Sequence, residues 1–276
     1  MGGCAIKTRK VRHRLQQHDA KRRQVRSQYS GITRPLHRVY YPKYSFKRAL
    51  RRKVKSESDD KKATFKTRSR ADRSNAGRKR GSIVDNEVAK AIKHYRRACL
   101  DDRRLSAEEQ PPSLYKFAVR HSLLENGLSR QILKHVDIMG WTAIDSHVHV
   151  EDVDSQTRTA ADFVCVQKAN PRSFAVMELK CGFEGYVSLH SGNMLHELKR
   201  VPNSPRNQHH LQVALTREMY ARTYDDSERV RAFVIWANDS AVHHEEVAEW
   251  ALTNAPAALK RLGKRLARKE NARAQR

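Results

Sequence analysis

Residues Asp162 to Lys180 form two apolar runs around a polar turn, and no other stretch constrains the fold of this chain as strongly. The first run, Phe163-Val164-Cys165-Val166, follows an acid, and the second, Phe174-Ala175-Val176-Met177, closes on Glu178-Leu179-Lys180. Asn170-Pro171 is a turn-initiating pair, so strands over Ala161–Gln167 and Phe174–Cys181 are predicted, joined as a hairpin through Lys168 to Ser173. Asp162 then lies beside the end of the strand that carries Glu178 and Lys180. Residues two apart share one face of a strand, so these two side chains point the same way and Leu179 points into the core.

The flanking pattern places this hairpin in an α/β domain. Val84, Val88, Ala91, Ile92, Tyr95 and Cys99 recur at helical spacing and predict a helix over Ser82–Leu100. Shorter helices are predicted over Ser113–Glu125 and Ser129–Ile138, then a strand over Trp141–Val150. After the hairpin come a helix over Pro205–Thr223, a strand over Val230–Ala237 and a helix over Val242–Leu252, the last capped by Asn238-Asp239-Ser240. Pro256 precedes a basic helical tail with Leu259, Leu262 and Leu266 as its apolar stripe. The expected fold class is α/β, with a central mixed β-sheet flanked by helices.

The formal charge of +26 sits at the two ends. Residues 1–80 hold 27 Lys and Arg against 5 Asp and Glu, and residues 257–276 hold 8 against 1. The stretch between carries 21 basic and 24 acidic residues, so it is close to neutral. Three regions are expected: a basic, largely disordered arm over 1–80, a folded domain over 81–255, and the basic helical tail over 256–276. The arm interleaves Tyr29, Tyr40, Tyr41 and Tyr44 with its basic blocks, a composition suited to phosphates and exposed bases or to targeting. Basic clusters such as Lys21-Arg22-Arg23 and Arg78-Lys79-Arg80 favour a nuclear location, with a mitochondrial presequence as the alternative. No apolar stretch approaches the ~18 residues of a membrane span. Cys4, Cys99, Cys165 and Cys181 have no metal-ligand spacing and read as reduced thiols of an intracellular protein.

Two carboxylates and a lysine converging at a strand end suit the hydrolysis of a phosphodiester. The scissile phosphate repels hydroxide, so its charge must be neutralised while a nucleophile is generated. Mg²⁺, with Mn²⁺ as a substitute, takes hard oxygen ligands, which Asp162, Glu178 and the Leu179 carbonyl can provide. Lys180 can hydrogen-bond the attacking water and stabilise developing charge.

Three features in order complete the pattern: Gly81-Ser82-Ile83-Val84-Asp85 with Glu87 nearby, then Asp162 with Glu178-Leu179-Lys180, then the helix holding Asn207-Gln208-His209-His210-Leu211-Gln212. From about residue 81 to 250 the chain resembles the PD-(D/E)XK nuclease superfamily, in its RecB-like and lambda-exonuclease-like branch. The resemblance implies a restriction-endonuclease-like core with Trp141–Val150 as its first strand. It implies a metal-dependent nuclease that hydrolyses phosphodiester bonds of DNA, of exonuclease or recombination and repair type. It makes Asp162 and Glu178 metal ligands, Lys180 the water-orienting base, and Gln212 the residue that positions water or phosphate. Asp85 falls where many relatives place His, and Glu87 is the alternative on a shifted face of the same helix.

Two other functions compete. The basic ends alone would serve a nucleic-acid-binding or packaging protein whose nuclease-like core does not cut. Asp145-Ser146-His147-Val148-His149 looks like the opening of a zinc amidohydrolase, but that barrel needs ~250 residues with further ligands downstream. A half-buried strand with both histidines on one face is the simpler reading of that motif. Glu197-Leu198-Lys199 reads as a solvated helix end, and His209 reads as a surface histidine in preference to one that faces phosphate beside Gln212. His209-His210 and His243-His244 are adjacent pairs, so the members of each point apart.

Overall fold

A computed structural model of the chain describes residues 9–24, 30–41, 70–101, 113–182, 190–224 and 230–274. The predicted hairpin forms as β3 (Thr157–Gln167) and β4 (Phe174–Cys181), joined at the expected turn. Asn170 explains that turn: its side chain accepts the Arg172 N–H at 3.1 Å and donates to Ser173 Oγ at 2.9 Å. β2 (Trp141–Asp152) precedes the hairpin and pairs antiparallel along the whole length of β3. β5 (Val230–Ala237) runs parallel to β4, and β6 (Val242–Glu246) pairs antiparallel with β5. A two-residue strand, β1 (Ser30–Gly31), pairs parallel with Thr157 and Arg158 of β3. Among the described residues, six strands thus form one mixed sheet.

Consecutive residues Phe163 to Val166, Phe174 to Met177 and Val234 to Ile235 are all buried, so both faces of the central strands are covered. The covering helices include α3 (Arg70–Asp101), which meets β2 and β4, and α6 (Pro205–Tyr224), which connects β4 to β5 and lies on the sheet. The shorter α4 (Leu114–Arg120) and α5 (Gly127–Ile138) pack beside α3. The expected α/β class with a mixed, helix-flanked sheet is what the chain adopts.

Residues Val242–Glu246 are a strand where the sequence predicts a helix. Asn238 accounts for the difference. Its side chain accepts the N–H groups of both Ser240 and Ala241 at 2.9 Å, which reverses the chain into a hairpin instead of capping a helix. Arg231 then grips Glu246 across the strands through two hydrogen bonds. The following helix, α7, begins at Glu249, contains Pro256 and runs to Ala274.

Two helices of the basic arm are built into the domain. Helix α1 (Arg9–Gln24) buries Val11, Leu15 and His18 and packs on β2. Helix α2 (Thr33–Val39) buries Leu36 and Val39 and touches α7. Residues 70–80 of the arm begin α3, and residues 1–8, 25–29 and 42–69, with Tyr29 and Tyr44, lie outside the described residues. Glu197 lies exposed in a short helical turn, as expected, and it also accepts from Tyr40 Oη and pairs with Arg261 of α7 at 2.9 Å, tying three segments together. Among the described residues, Cys99, Cys165 and Cys181 are in no disulfide. None of the described helices is long and apolar enough to cross a membrane.

At Gly263, α7 packs against the turn between β2 and β3. A Cβ at Gly263 would stand 2.7 Å from Ser155 Cα and 2.9 Å from the Asp154 carbonyl oxygen. These are backbone atoms and cannot swing aside. Gly263→Ala gains about 1 kcal/mol of helix propensity. The overpacking costs about 1–3 kcal/mol, so a lower urea midpoint is expected, and a raised midpoint would refute this packing.

Candidate functional site

The site lies where the central sheet forks. β3 and β4 pair as far as Phe163 and Met177, and Asp162 and Glu178 are the next residue on each strand. Beyond that point the strands part, and Leu179 N–H donates to Asp162 Oδ2 at 2.8 Å. A carboxylate thus replaces the ladder partner of a backbone amide, which fixes the Asp162 side chain at the fork.

Glu178 and Lys180 share a face, as their spacing requires. Glu178 is 4% exposed. Its Oε1 accepts from Lys180 Nζ at 2.7 Å and from Gln212 Nε2 at 2.9 Å. Its other oxygen, Oε2, is buried and accepts no hydrogen bond. Helix α6 therefore delivers Gln212 to the hairpin, while Gln208, one turn earlier, bonds Asn203. Leu179 is buried between the two polar residues and presents its N–H to Asp162.

Asp85 arrives from α3. That helix crosses the end of β4 at Gly81, where a Cβ would lie 3.7 Å from Cys181 Cβ. About one turn later, Asp85 Oδ2 bonds His147 Nε2 at 2.9 Å, and Asp85 Oδ1 is buried without a hydrogen-bond partner. Glu87 points elsewhere: its Oε2 accepts the Asn126 N–H at 3.1 Å, at the start of α5. Of the two acids that the sequence leaves as alternatives, Asp85 is the one brought to the fork, because residues two apart on a helix diverge by about 200°.

The electrostatics describe a pocket with too much negative charge. Burial, and then the neighbouring Glu178, push the Asp162 carboxyl well above the usual carboxylate range, and Asp85 adds to the effect. Burial alone would lower Lys180, but Glu178 and Asp162 outweigh it and hold the ammonium above its ordinary value. The Cys181 thiol is pushed up to about 11 by burial and by the Asp85 and Asp162 carboxylates. Glu178 and Asp162 therefore flank one half-buried lysine, with Asp85 acting on Asp162.

A divalent cation fits this donor set. The donors are hard oxygens, Glu178 Oε2 and Asp85 Oδ1 are buried with nothing to accept from, and added positive charge would relieve the repulsion that raises Asp162. Among the described residues, no three His, Cys, Asp or Glu side chains already converge as a cation cage. The three carboxylates are neighbours that a cation would have to draw together.

Two histidines stand at the site in places the sequence does not favour. His147 appears in the sequence only within a motif that suggested another enzyme class. Asp145, His147 and His149 in fact go three ways: Asp145 is buried against His18, His147 turns to Asp85, and His149 is exposed. His209, read as a surface residue, is half-buried beside Gln212, and burial, followed by the charge of Lys180, drives its pKa well down. Its neighbour His210 bonds Glu245 at 2.9 Å, while His243 stacks on Trp236 and His244 bonds His135, so both adjacent pairs diverge. No protein-family model matches the chain, and no curated protein matches it.

Proposed function

We propose that the chain is a Mg²⁺-dependent deoxyribonuclease of the PD-(D/E)XK type, with a restriction-endonuclease-like core and its centre at the fork between β3 and β4. The observation that carries this reading is Glu178: a buried carboxylate with one oxygen held by Lys180 and Gln212 and the other without a donor, next to Asp162 and Asp85. Asp162, Glu178, Asp85 and the Leu179 carbonyl would hold the cation. Bound there, Mg²⁺ supplies neutralising charge at the scissile phosphate and acidifies a water.

The chain's own residues then have separate tasks. Gln212 and Lys180 fix Glu178 Oε1, so the carboxylate cannot rotate and Oε2 keeps one direction. The Leu179 N–H does the same for Asp162. Lys180 stays protonated between its carboxylates and donates hydrogen bonds, orienting the attacking water and stabilising charge that develops on the phosphate. Gln212 contributes a neutral donor that positions water or a phosphate oxygen. The buried setting strengthens each of these interactions relative to solvent.

The test is cleavage of linear, circular and single-stranded DNA with Mg²⁺ or Mn²⁺ and then with EDTA. Products that appear with the cation and vanish with EDTA support the reading. Binding with no cation-dependent product would favour a packaging protein instead, and the topology of the cleaved substrates separates exonuclease from endonuclease. Lys180→Ala is expected to lower the cleavage rate by about 10²–10⁴-fold, and full activity in that variant would sink the assigned mechanism.

The basic ends predict a strong salt dependence. If about six phosphates are neutralised, affinity for DNA falls about a thousandfold between about 50 and about 200 mM salt. Filter binding or fluorescence anisotropy across that range measures the slope. A flat response would remove the arm and tail from the interface.

A further inference from the structure

His147 occupies a position that ordinary strand geometry does not explain. On β2, Ser146 pairs with Phe163 and Val148 pairs with Ala161, so His147 lies across from Asp162 on the neighbouring strand. That pairing is missing from the register, which also bulges at Ile144, and at this point the backbone of His147 turns left-handed, with φ +49°. A histidine in a strand gains nothing locally from this conformation, which the surroundings must enforce. The turn sends its ring to Asp85, where Nε2 meets Oδ2 at 2.9 Å.

The consequence falls on the other oxygen. With Oδ2 held, the Asp85 carboxylate cannot rotate freely, and Oδ1 is left buried without a hydrogen-bond partner. The His147 side chain is 44% exposed and that of Asp85 31%, so a mere surface ion pair would leave both groups free to choose other rotamers. Here a distorted strand and a helix are both committed to one carboxylate orientation beside Asp162 and Glu178. A partner that fixes a ligating carboxylate from outside is a recurrent part of cation sites.

We infer that His147 is a positioning residue: by holding Asp85 Oδ2 it fixes the orientation in which Asp85 Oδ1 is presented to a divalent cation. The inference rests on the proposal that the cluster of Asp85, Asp162 and Glu178 binds such a cation.

The experiment uses the full chain without DNA and reads Mn²⁺ binding by electron paramagnetic resonance, with thermal melts in EDTA alongside. His147→Gly removes the ring and suits a left-handed backbone. The variant should therefore melt in EDTA no lower than wild type while losing about 10–100-fold in Mn²⁺ affinity. His147→Gln, whose amide can donate to Asp85, should recover most of that affinity, and it carries the test should His147→Gly fail to fold. Wild-type Mn²⁺ binding with unchanged affinity in His147→Gly overturns the positioning role and leaves the cation site standing. A loss that His147→Gln does not recover overturns the hydrogen-bonding role equally. Absence of Mn²⁺ binding in wild type overturns the cation site itself, and with it this inference.

Discussion

Glu178→Gln is expected to lose Mg²⁺-dependent cleavage by at least about 10³-fold, because stabilisation worth several kcal/mol in the transition state disappears with the cation. The substitution is chosen for what it keeps. A glutamine carbonyl can take the place of Oε1 and still accept from Lys180 and Gln212, which lie 2.7 and 2.9 Å away. What changes is the oxygen with no hydrogen-bond partner, which becomes an amide that cannot ligate a cation. The pocket also loses one negative charge, easing the repulsion that raises Asp162. The variant should thus remain folded in EDTA and bind DNA as wild type does, while Mn²⁺ no longer raises its melting temperature. Cleavage at the wild-type rate would exclude Glu178 as a ligand and remove the main support for the nuclease reading.

Asp145→Ala carries the largest expected effect on stability, about 3–5 kcal/mol, because it strands buried partners. Asp145 is 3% exposed and bonds His18 Nδ1 at 2.9 Å and Arg96 at 3.1 Å. His18 bonds Tyr220 Oη through its other nitrogen at 3.0 Å, and Arg96 also reaches Asp19. One carboxylate therefore joins α1, α3, β2 and α6. Arg14 strengthens the same seam, donating to the Tyr224 carbonyl at 3.0 Å with its guanidinium over Phe174, Tyr220 and Tyr224. Urea denaturation should show the lower midpoint, and limited proteolysis should cut within α1 first. A change below about 1 kcal/mol, the size of an exposed ion pair, would mean that α1 contributes little to the domain.

The two predictions sit on opposite sides of what the sequence reveals. The hairpin and the shared face of Glu178 and Lys180 follow from local pattern: strands alternate with period two, and Asn170-Pro171 starts a turn wherever it falls. Gln212 follows from chain order once the hairpin is placed. The choice between Asp85 and Glu87 does not, since both lie on the polar side of one helix and only the crossing at Gly81 and Cys181 selects Asp85. His147 is invisible for another reason, because no local signal announces a left-handed histidine in a strand. The seam around Asp145 is hidden further still. Helix α1 has a thin apolar stripe among many arginines and reads as a solvated tail, and His18 becomes a core residue only through a carboxylate 127 positions away. Where side chains of the same segment decide, as at Asn238, the signal is present but double: Asn caps helices and closes turns equally well.

The seam also orders events in time. Arg14 finds the Tyr224 carbonyl 210 residues further along the chain, and β1 pairs with a strand that begins at Thr157. During synthesis α1 and α2 emerge before the sheet and α6 that they dock on. Contacts of such separation close late and slowly. Helices α1 and α2 are thus placed only after elements made much later, and through that interval their lysines and arginines stand uncovered.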